Sequence, residues 1–143
     1  MGKKVEVTPI ENGIVIDHIK VGKSMEIYRL LGLDKLDSPV AILKNVESST
    51  HGKKDIIKVD GNINVDYDML GFVDPGATVN IVENGQVARK ETLKLPDKLT
   101  DVIKCKNPRC ITTIEDGMNH MFYLADRDLG LYRCYYCQQG RAE

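Results

Sequence analysis

Tryptophan is absent from the sequence, phenylalanine occurs twice, and aromatic residues make up only 6% of its 143 positions. No apolar run exceeds the five residues from Met121 to Ala125, whereas a helix that crosses a bilayer needs about 20. No transmembrane helix is expected. Neither sign of charge dominates, with 20 Lys+Arg against 21 Asp+Glu and a formal net charge of -1, so no global attraction to nucleic acid follows. The signatures of common catalytic sites are missing too: no Walker A sequence, Gly-x-Ser-x-Gly, His-Glu-x-x-His or Rossmann glycine pattern occurs. What remains is a binder rather than an enzyme. The start Met1-Gly2-Lys3-Lys4 runs into Val5-Glu6-Val7-Thr8, where charge interrupts a signal-peptide core and Glu6 stands where myristoylation wants Ser or Thr. The expected location is the cytoplasm.

Hydrophobic residues at 42% and charged residues at 29% supply enough apolar material for a core, at a length that suits one or two domains. Val5 and Val7 begin an alternation, and Ile14-Val15-Ile16-Asp17-His18-Ile19 reads as a buried strand with two polar residues near its end. From Ser24 the apolar spacing becomes helical through Met25, Ile27, Tyr28, Leu30 and Leu31, with Ser24 the expected N-cap and Gly32 the stop. Val40 to Val46 gives a second strand, Glu47 to Lys53 with His51 a polar and exposed loop, and Ile56 to Val59 a third strand. A helical turn fits Val65 to Leu70. Ala77 to Glu83 and Gln86 to Leu93 flank Asn84-Gly85, the favoured pair for a two-residue type I′ hairpin. Strand, helix, strand, strand, helix, strand and a trailing strand fit an α+β, ferredoxin-like split βαβ arrangement, an antiparallel sheet with helices on one face. A connector, Leu95-Pro96-Asp97-Lys98-Leu99, divides the chain into expected domains at 1–95 and 96–143.

The first 104 residues hold no cysteine, and Cys105, Cys110, Cys134 and Cys137 crowd the last 39. A module of about 40 residues is near the size that needs a metal or disulfides for stability. Ile111 to Ile114, His120 to Leu124 and Leu131 to Cys134 read as strands of a small antiparallel zinc-ribbon or rubredoxin-like domain. Two thiolate pairs on two turns make a closed tetrahedral site for one structural zinc ion, with no coordination position left for catalytic water and no need of His120. Two disulfides or a redox Cys-x-x-Cys are the alternatives, both disfavoured in a reducing cytosol. From Cys105 onward Lys106, Arg109, Arg127, Arg133 and Arg141 balance Glu115, Asp116, Asp126, Asp128 and Glu143. With no basic stripe for phosphate, Tyr132, Tyr135 and Tyr136 beside arginine point to a protein partner rather than a nucleic acid.

Lys54 and Lys58 are four residues apart and share one face of the third strand. They could attract an anion or simply face water. Asp17 could accept hydrogen bonds from sugar hydroxyls or cap its strand, and Asn80, Val82 and Val87 could flank a base or belong to the core.

Several segments together resemble the regulatory chain family of aspartate carbamoyltransferase: Gly13-Ile14-Val15-Ile16-Asp17-His18-Ile19, Gly52-Lys53-Lys54-Asp55-Ile56-Ile57-Lys58, Ala77-Thr78-Val79-Asn80, and the cysteine spacing with Asn107 and Tyr136-Cys137. The resemblance covers nearly the whole chain. It implies a non-catalytic subunit whose N-terminal domain pairs with a second copy and binds nucleoside triphosphates (CTP, ATP, with UTP a further candidate), and whose zinc domain docks on a catalytic chain. Carried over by position, Asp17 holds the ribose, Lys54 and Lys58 the ribose and phosphates, and Asn80, Val82 and Val87 surround base and sugar. Lys90 meets the triphosphate, His18 lies near the phosphates, and Lys4, Val7 and Ile10 line the entry and base side. Asn107, Arg109 and Tyr135 fall at the implied interface, where Gln138 is a further contact position. Pro9 removes one N–H donor from the base-facing segment. A regular hairpin at Asn84-Gly85 would turn Lys90 away from Val82 and Val87, so its implied role requires a bulge or an edge approach.

Overall fold

The computed structural model describes residues 9–48 and 52–142, which divide into two compact units with the break between Lys94 and Leu95. Lys4, Val7, the alternation at Val5 and Val7, and His51 lie outside the described residues.

In the first unit β1 (Gly13–Ile19), α1 (Ser24–Leu30), β2 (Val40–Ser48), β3 (Gly52–Asp60), α2 (Tyr67–Val73), β4 (Thr78–Glu83) and β5 (Gln86–Thr92) follow one another. The strands form an antiparallel sheet in the order β2-β3-β1-β4-β5, the split βαβ order with a fifth strand added at one edge. Register explains the core. Ile14 pairs with Val59 and Ile81, and Ile16 with Ile57 and Val79, so these side chains share one face. Most of them are almost fully buried, as are Ile27 of α1, Leu33 in the 3-10 turn that follows it, and Leu70 and Val73 of α2. Each large aliphatic side chain so removed from water contributes about 1.5–3 kcal/mol. Val15, Asp17, Asn80, Lys54 and Lys58 take the opposite phase and stay partly exposed.

Three local expectations change. Lys23, not Ser24, is the N-cap of α1 and makes no side-chain cap bond; the Ser24 hydroxyl is drawn instead to the buried Asp55, 2.7 Å away. The polar run 47–53 is not all loop, because Glu47 pairs with Lys53 and Ser48 with Gly52 and extend the β2–β3 hairpin. The helix expected over Val65 to Leu70 starts at Tyr67 and continues to Val73, since the Asp66 carboxylate accepts the Met69 N–H as an N-cap.

The second unit is an antiparallel sheet in the order β6 (Lys98–Thr100), β7 (Met121–Asp126), β8 (Leu131–Cys134) and β9 (Gly140–Ala142). Leu99, Phe122 and Tyr132 form its core, and the Tyr132 hydroxyl donates to the Pro96 carbonyl at 2.6 Å. Ile111 to Ile114 is a one-turn helix, α3, and not a strand. The Cys110 carbonyl accepts the N–H groups of Thr113 and Ile114, which curls the chain where the Cys110 thiol must meet three others. Among the described residues, no helix is long and apolar enough to cross a membrane.

Candidate functional site

One rung of the first sheet can be followed through Val15 across all five strands. Ala41 pairs with Lys58, Lys58 with Val15, Val15 with Asn80, and Asn80 with Lys90. Directly paired residues share a face, so Lys58, Asn80 and Lys90 all project from the side opposite the core. Lys90 gets there through a bulge. Val82 pairs with Val87, but Ile81 pairs with Arg89, which leaves Ala88 unopposed and shifts every later residue of β5 by one face. The turn at the end of this hairpin has both Asn84 and Gly85 at positive φ, 53° and 77°, the I′ geometry. Three strand intervals separate Lys58 from Lys90, roughly 14 Å at about 4.8 Å each.

Two residues back along β1, on the same face, Gly13 pairs with both Asp60 and Val82. Val82 is buried at 6% exposure, while Val87 opposite it is 60% exposed. Val87 is therefore not a core residue. Ile10, Pro9, Glu11, Pro39, Val40, Ala41, Lys58 and Asp60 line a pocket of about 350 Å³ at this end of the sheet.

Toward the other end of β1, Lys54 Nζ lies 2.9 Å from Asp17 Oδ1. Burial raises the Asp17 pKa, but the bonds from Lys54 and the His18 N–H more than offset it and hold the carboxyl below its ordinary value. A second bulge lies here, between the pairs Ile16–Ile57 and Ile19–Asp55, with His18 at φ 58° and its Nδ1 3.2 Å from Thr78 Oγ1. His18, Lys20, Lys53, Lys54, Ser48 and Asp74 border a pocket of about 400 Å³. The sheet thus gathers Asp17, His18 and Lys54 toward one end and Ile10 toward the other, with the rung of Lys58, Asn80 and Lys90 between them.

Two acidic residues behind this surface escaped the sequence reading. Asp55, with no exposed area, accepts from the Gly22 N–H at 3.2 Å, the Ser24 hydroxyl at 2.7 Å and the Asn45 N–H at 2.8 Å. Burial works against its charge, yet these donors keep its pKa lowered. It ties the start of α1 to the irregularity of β2, directly behind Lys54. Asp74 likewise accepts the Lys20 N–H at 2.6 Å and the Gly76 N–H at 3.1 Å. The available signal was phase: Asp55 sits on the inward side of β3 with Ile57 and Val59.

In the second unit the sulfurs of Cys105, Cys110, Cys134 and Cys137 all lie within 4.8 Å of one another. Cys105 and Cys137 are 3.5 Å apart and Cys110 and Cys134 3.7 Å, far beyond a disulfide bond of about 2.05 Å. A tetrahedral ion with metal–sulfur bonds of about 2.3 Å needs edges of about 3.8 Å, so the cluster fits a metal. Burial pushes the Cys105 thiol up to about 12. At Cys137 burial acts the same way, but bonds from the Gln139 N–H, Asn107 and Cys105 bring it down to about 7. Four sulfurs this close can all be thiolates only around a cation. Around them, the Thr112 hydroxyl lies 3.0 Å from the Cys110 sulfur and the Tyr136 N–H 3.4 Å from Cys134. The Cys105 N–H donates to His120 Nδ1 at 3.2 Å. His120 therefore supports a candidate ligand rather than being one. Asn107 Oδ1 accepts the Arg109 N–H at 3.0 Å and shapes the first cysteine loop. Tyr135 is 44% exposed, packs edge-on to Tyr123, and has Lys98 Nζ 5.7 Å from its ring centre; the Tyr123 hydroxyl donates to Gln138.

Residues 5–94 match the family model described as aspartate carbamoyltransferase regulatory chain, allosteric domain. Residues 97–142 match the metal binding domain of the same regulatory chain. Similar proteins named aspartate carbamoyltransferase regulatory chain occur in Clostridium botulinum strain Hall, 49% identical over 93% of this chain and 91% of the relative, and in Clostridium tetani, 48% identical over 93% of each. One from Bifidobacterium longum is 42% identical over 94% of this chain and 97% of its own length.

Proposed function

The chain belongs to the family of aspartate carbamoyltransferase regulatory chains, and from that premise we propose that its first unit binds nucleoside triphosphates, CTP and ATP foremost, on the open face of the sheet. The reading rests above all on the rung from Lys58 through Asn80 to Lys90. Two cations flank a polar amide and small apolar side chains, a surface matched to phosphate at its charged ends and to sugar and base between. Asp17, held ionised by Lys54, serves as the acceptor for ribose hydroxyls, while Lys54 supplies positive charge toward the phosphates and His18 lies near them. Ile10, Val82 and Val87 provide the apolar contacts of the base, and Lys4 and Val7 belong to the same site. UTP is a third candidate ligand.

The metal is zinc, one ion per chain, structural in role. A closed set of four thiolates suits a d¹⁰ ion with no geometric demand beyond a tetrahedron. The zinc unit docks on a catalytic chain through Asn107, Arg109 and Tyr135, and the first unit pairs with a second copy of itself. The assembly works in the cytoplasm on pyrimidine biosynthesis. Effector control then follows from linkage: a nucleotide that prefers one state of the assembly shifts the catalytic chains toward it, typically by about 1–3 kcal/mol. The test is calorimetric titration of the full chain with CTP and ATP, repeated with Lys58→Ala, together with carbamoyltransferase assays of the reconstituted complex with and without each nucleotide. Equal nucleotide affinity in the variant and the wild type would overturn the site.

A further inference from the structure

The segment before β1 carries Ile10 into the pocket that Lys58 lines, and three hydrogen bonds hold this segment between two strand ends. The Asn12 carbonyl accepts the Gly61 N–H at 2.9 Å, just past β3, and the Glu11 carbonyl accepts the Gly85 N–H at 2.8 Å, in the turn between β4 and β5. The third bond is made by a side chain. Asn12 Oδ1 accepts the Asn84 N–H at 3.2 Å. Gly13 completes the arrangement, because a Cβ there would stand 2.9 Å from Ile10 Cγ2 and 2.1 Å from the Val59 carbonyl oxygen. Only hydrogen at that position lets Ile10 settle where it is.

We propose that Asn12 is a positioning residue of the effector site: its carboxamide latches the Ile10 segment to the Asn84-Gly85 turn and so fixes the apolar wall at Ile10 relative to the strands that carry Val82, Val87 and Lys90. Main-chain bonds alone leave one contact on the hairpin side, about which the segment can rock. The side-chain bond adds a second and removes that freedom. The inference rests on the nucleotide reading of this face, and it separates the two ends of the ligand. The latch acts on the base side, at Ile10, and bonds to none of Lys54, Lys58 and Lys90. Lys58 borders the same pocket but is held in place by β3, so loss of the latch weakens binding of a whole nucleotide and leaves the affinity for phosphate charge as it was.

The experiment uses the full chain and measures CTP and ATP affinity by calorimetry, with inorganic tripolyphosphate as competitor, for the wild type, Asn12→Ala, Asn12→Asp and Lys90→Ala. Loss of one modest hydrogen bond should weaken CTP binding roughly three- to tenfold in Asn12→Ala, with the tripolyphosphate inhibition constant and the melting temperature unchanged. Asn12→Asp keeps the acceptor oxygen and should restore wild-type affinity. Lys90→Ala should weaken CTP and tripolyphosphate alike. Wild-type CTP affinity in Asn12→Ala, failure of Asn12→Asp to restore it, or equal weakening toward tripolyphosphate would each overturn the latch. A wild-type chain that binds neither CTP nor ATP would overturn the effector reading itself, and the latch with it.

Discussion

Lys90 stands directly across the β4–β5 ladder from Asn80, and it does so because Ala88 is one residue more than a regular hairpin holds. Without the bulge, Arg89 would occupy that place and Lys90 would turn to the helix side. The bulge therefore decides which of two adjacent cations projects from the open face. Lys90→Ala should weaken CTP and ATP binding by about ten- to a hundredfold, as expected for a charge-assisted bond of roughly 1.5–3 kcal/mol. Arg89→Ala, 66% exposed in its side chain and turned the other way, should change it less than twofold. Calorimetry on the two variants checks the pairing, and the reverse order of effects would show a regular hairpin in solution.

Asp55 offers a test of the scaffold behind the site. Its carboxylate satisfies three donors without exposure, so Asp55→Asn should destabilise the first unit by about 3 kcal/mol, since unsatisfied or mispaired buried groups cost roughly 1–3 kcal/mol each. The pH dependence has a definite sign. The folded carboxyl titrates below its ordinary 3.8, so its contribution is complete above that value and is lost as pH falls through the lower folded value. Urea midpoints of wild type and Asp55→Asn should differ most near neutrality and converge below about pH 3.8. A gap that stays constant with pH would show that charge is not the cause.

Gly71 tests packing against propensity. Alanine is favoured over glycine in a helix interior by about 1 kcal/mol, so by propensity alone Gly71→Ala in α2 is stabilising. A Cβ there, however, would lie 2.2 Å from the Lys94 carbonyl oxygen, a main-chain atom of the segment that follows β5, which moves only with the chain around it. The clash should win, and the variant should melt at least several degrees below wild type by circular dichroism, while an unchanged or raised melting temperature would place the chain after β5 elsewhere.

Where these features were legible in the sequence follows from how local their causes are. The hairpin at Asn84-Gly85 is set by two residues that tolerate positive φ, and the strand Gly13–Ile19 by its apolar run, so both could be read directly. The implied role of Lys90 required a bulge or an edge approach, but the bulge's place at Ala88 could not be read: Gln86 to Thr92 has no glycine or proline to mark it, and only the pairing partners on β4 settle the register. Ser24 looked like a cap because serine before an apolar helical pattern usually is one; a buried carboxylate 31 residues away claims its hydroxyl instead. Ile111-Thr112-Thr113-Ile114 has the composition of a strand, and the convergence of four sulfurs makes it a helical turn. The cysteines themselves were the clearest signal in the chain, since their spacing needs only two turns to bring the thiols together. For the candidate effector residues the sequence supplied phase but not neighbours, which is why Lys54 and Lys58 could be placed on one face while the ion pair of Lys54 with Asp17 could not be foreseen.

Removing the metal should separate the two units functionally. The thiolate cluster lies wholly within the second unit, and structural zinc sites in small modules supply roughly 10–16 kcal/mol of apparent binding energy, more than the core of Leu99, Phe122 and Tyr132 can replace. Chelation, or Cys110→Ser, should therefore unfold the second unit and abolish docking on catalytic chains. The proposed nucleotide surface draws on the first unit alone, so CTP binding should persist with affinity within about twofold of wild type. Metal analysis of the untreated protein should return one zinc per chain. Sedimentation of the stripped protein with catalytic chains, alongside CTP titration of the same sample, measures both consequences at once. Regulation is then lost because a chain that cannot hold its partner has nothing to bias, although its effector site is intact. Complex formation that continues without metal, or CTP binding that disappears with it, would show that the two units do not divide these tasks.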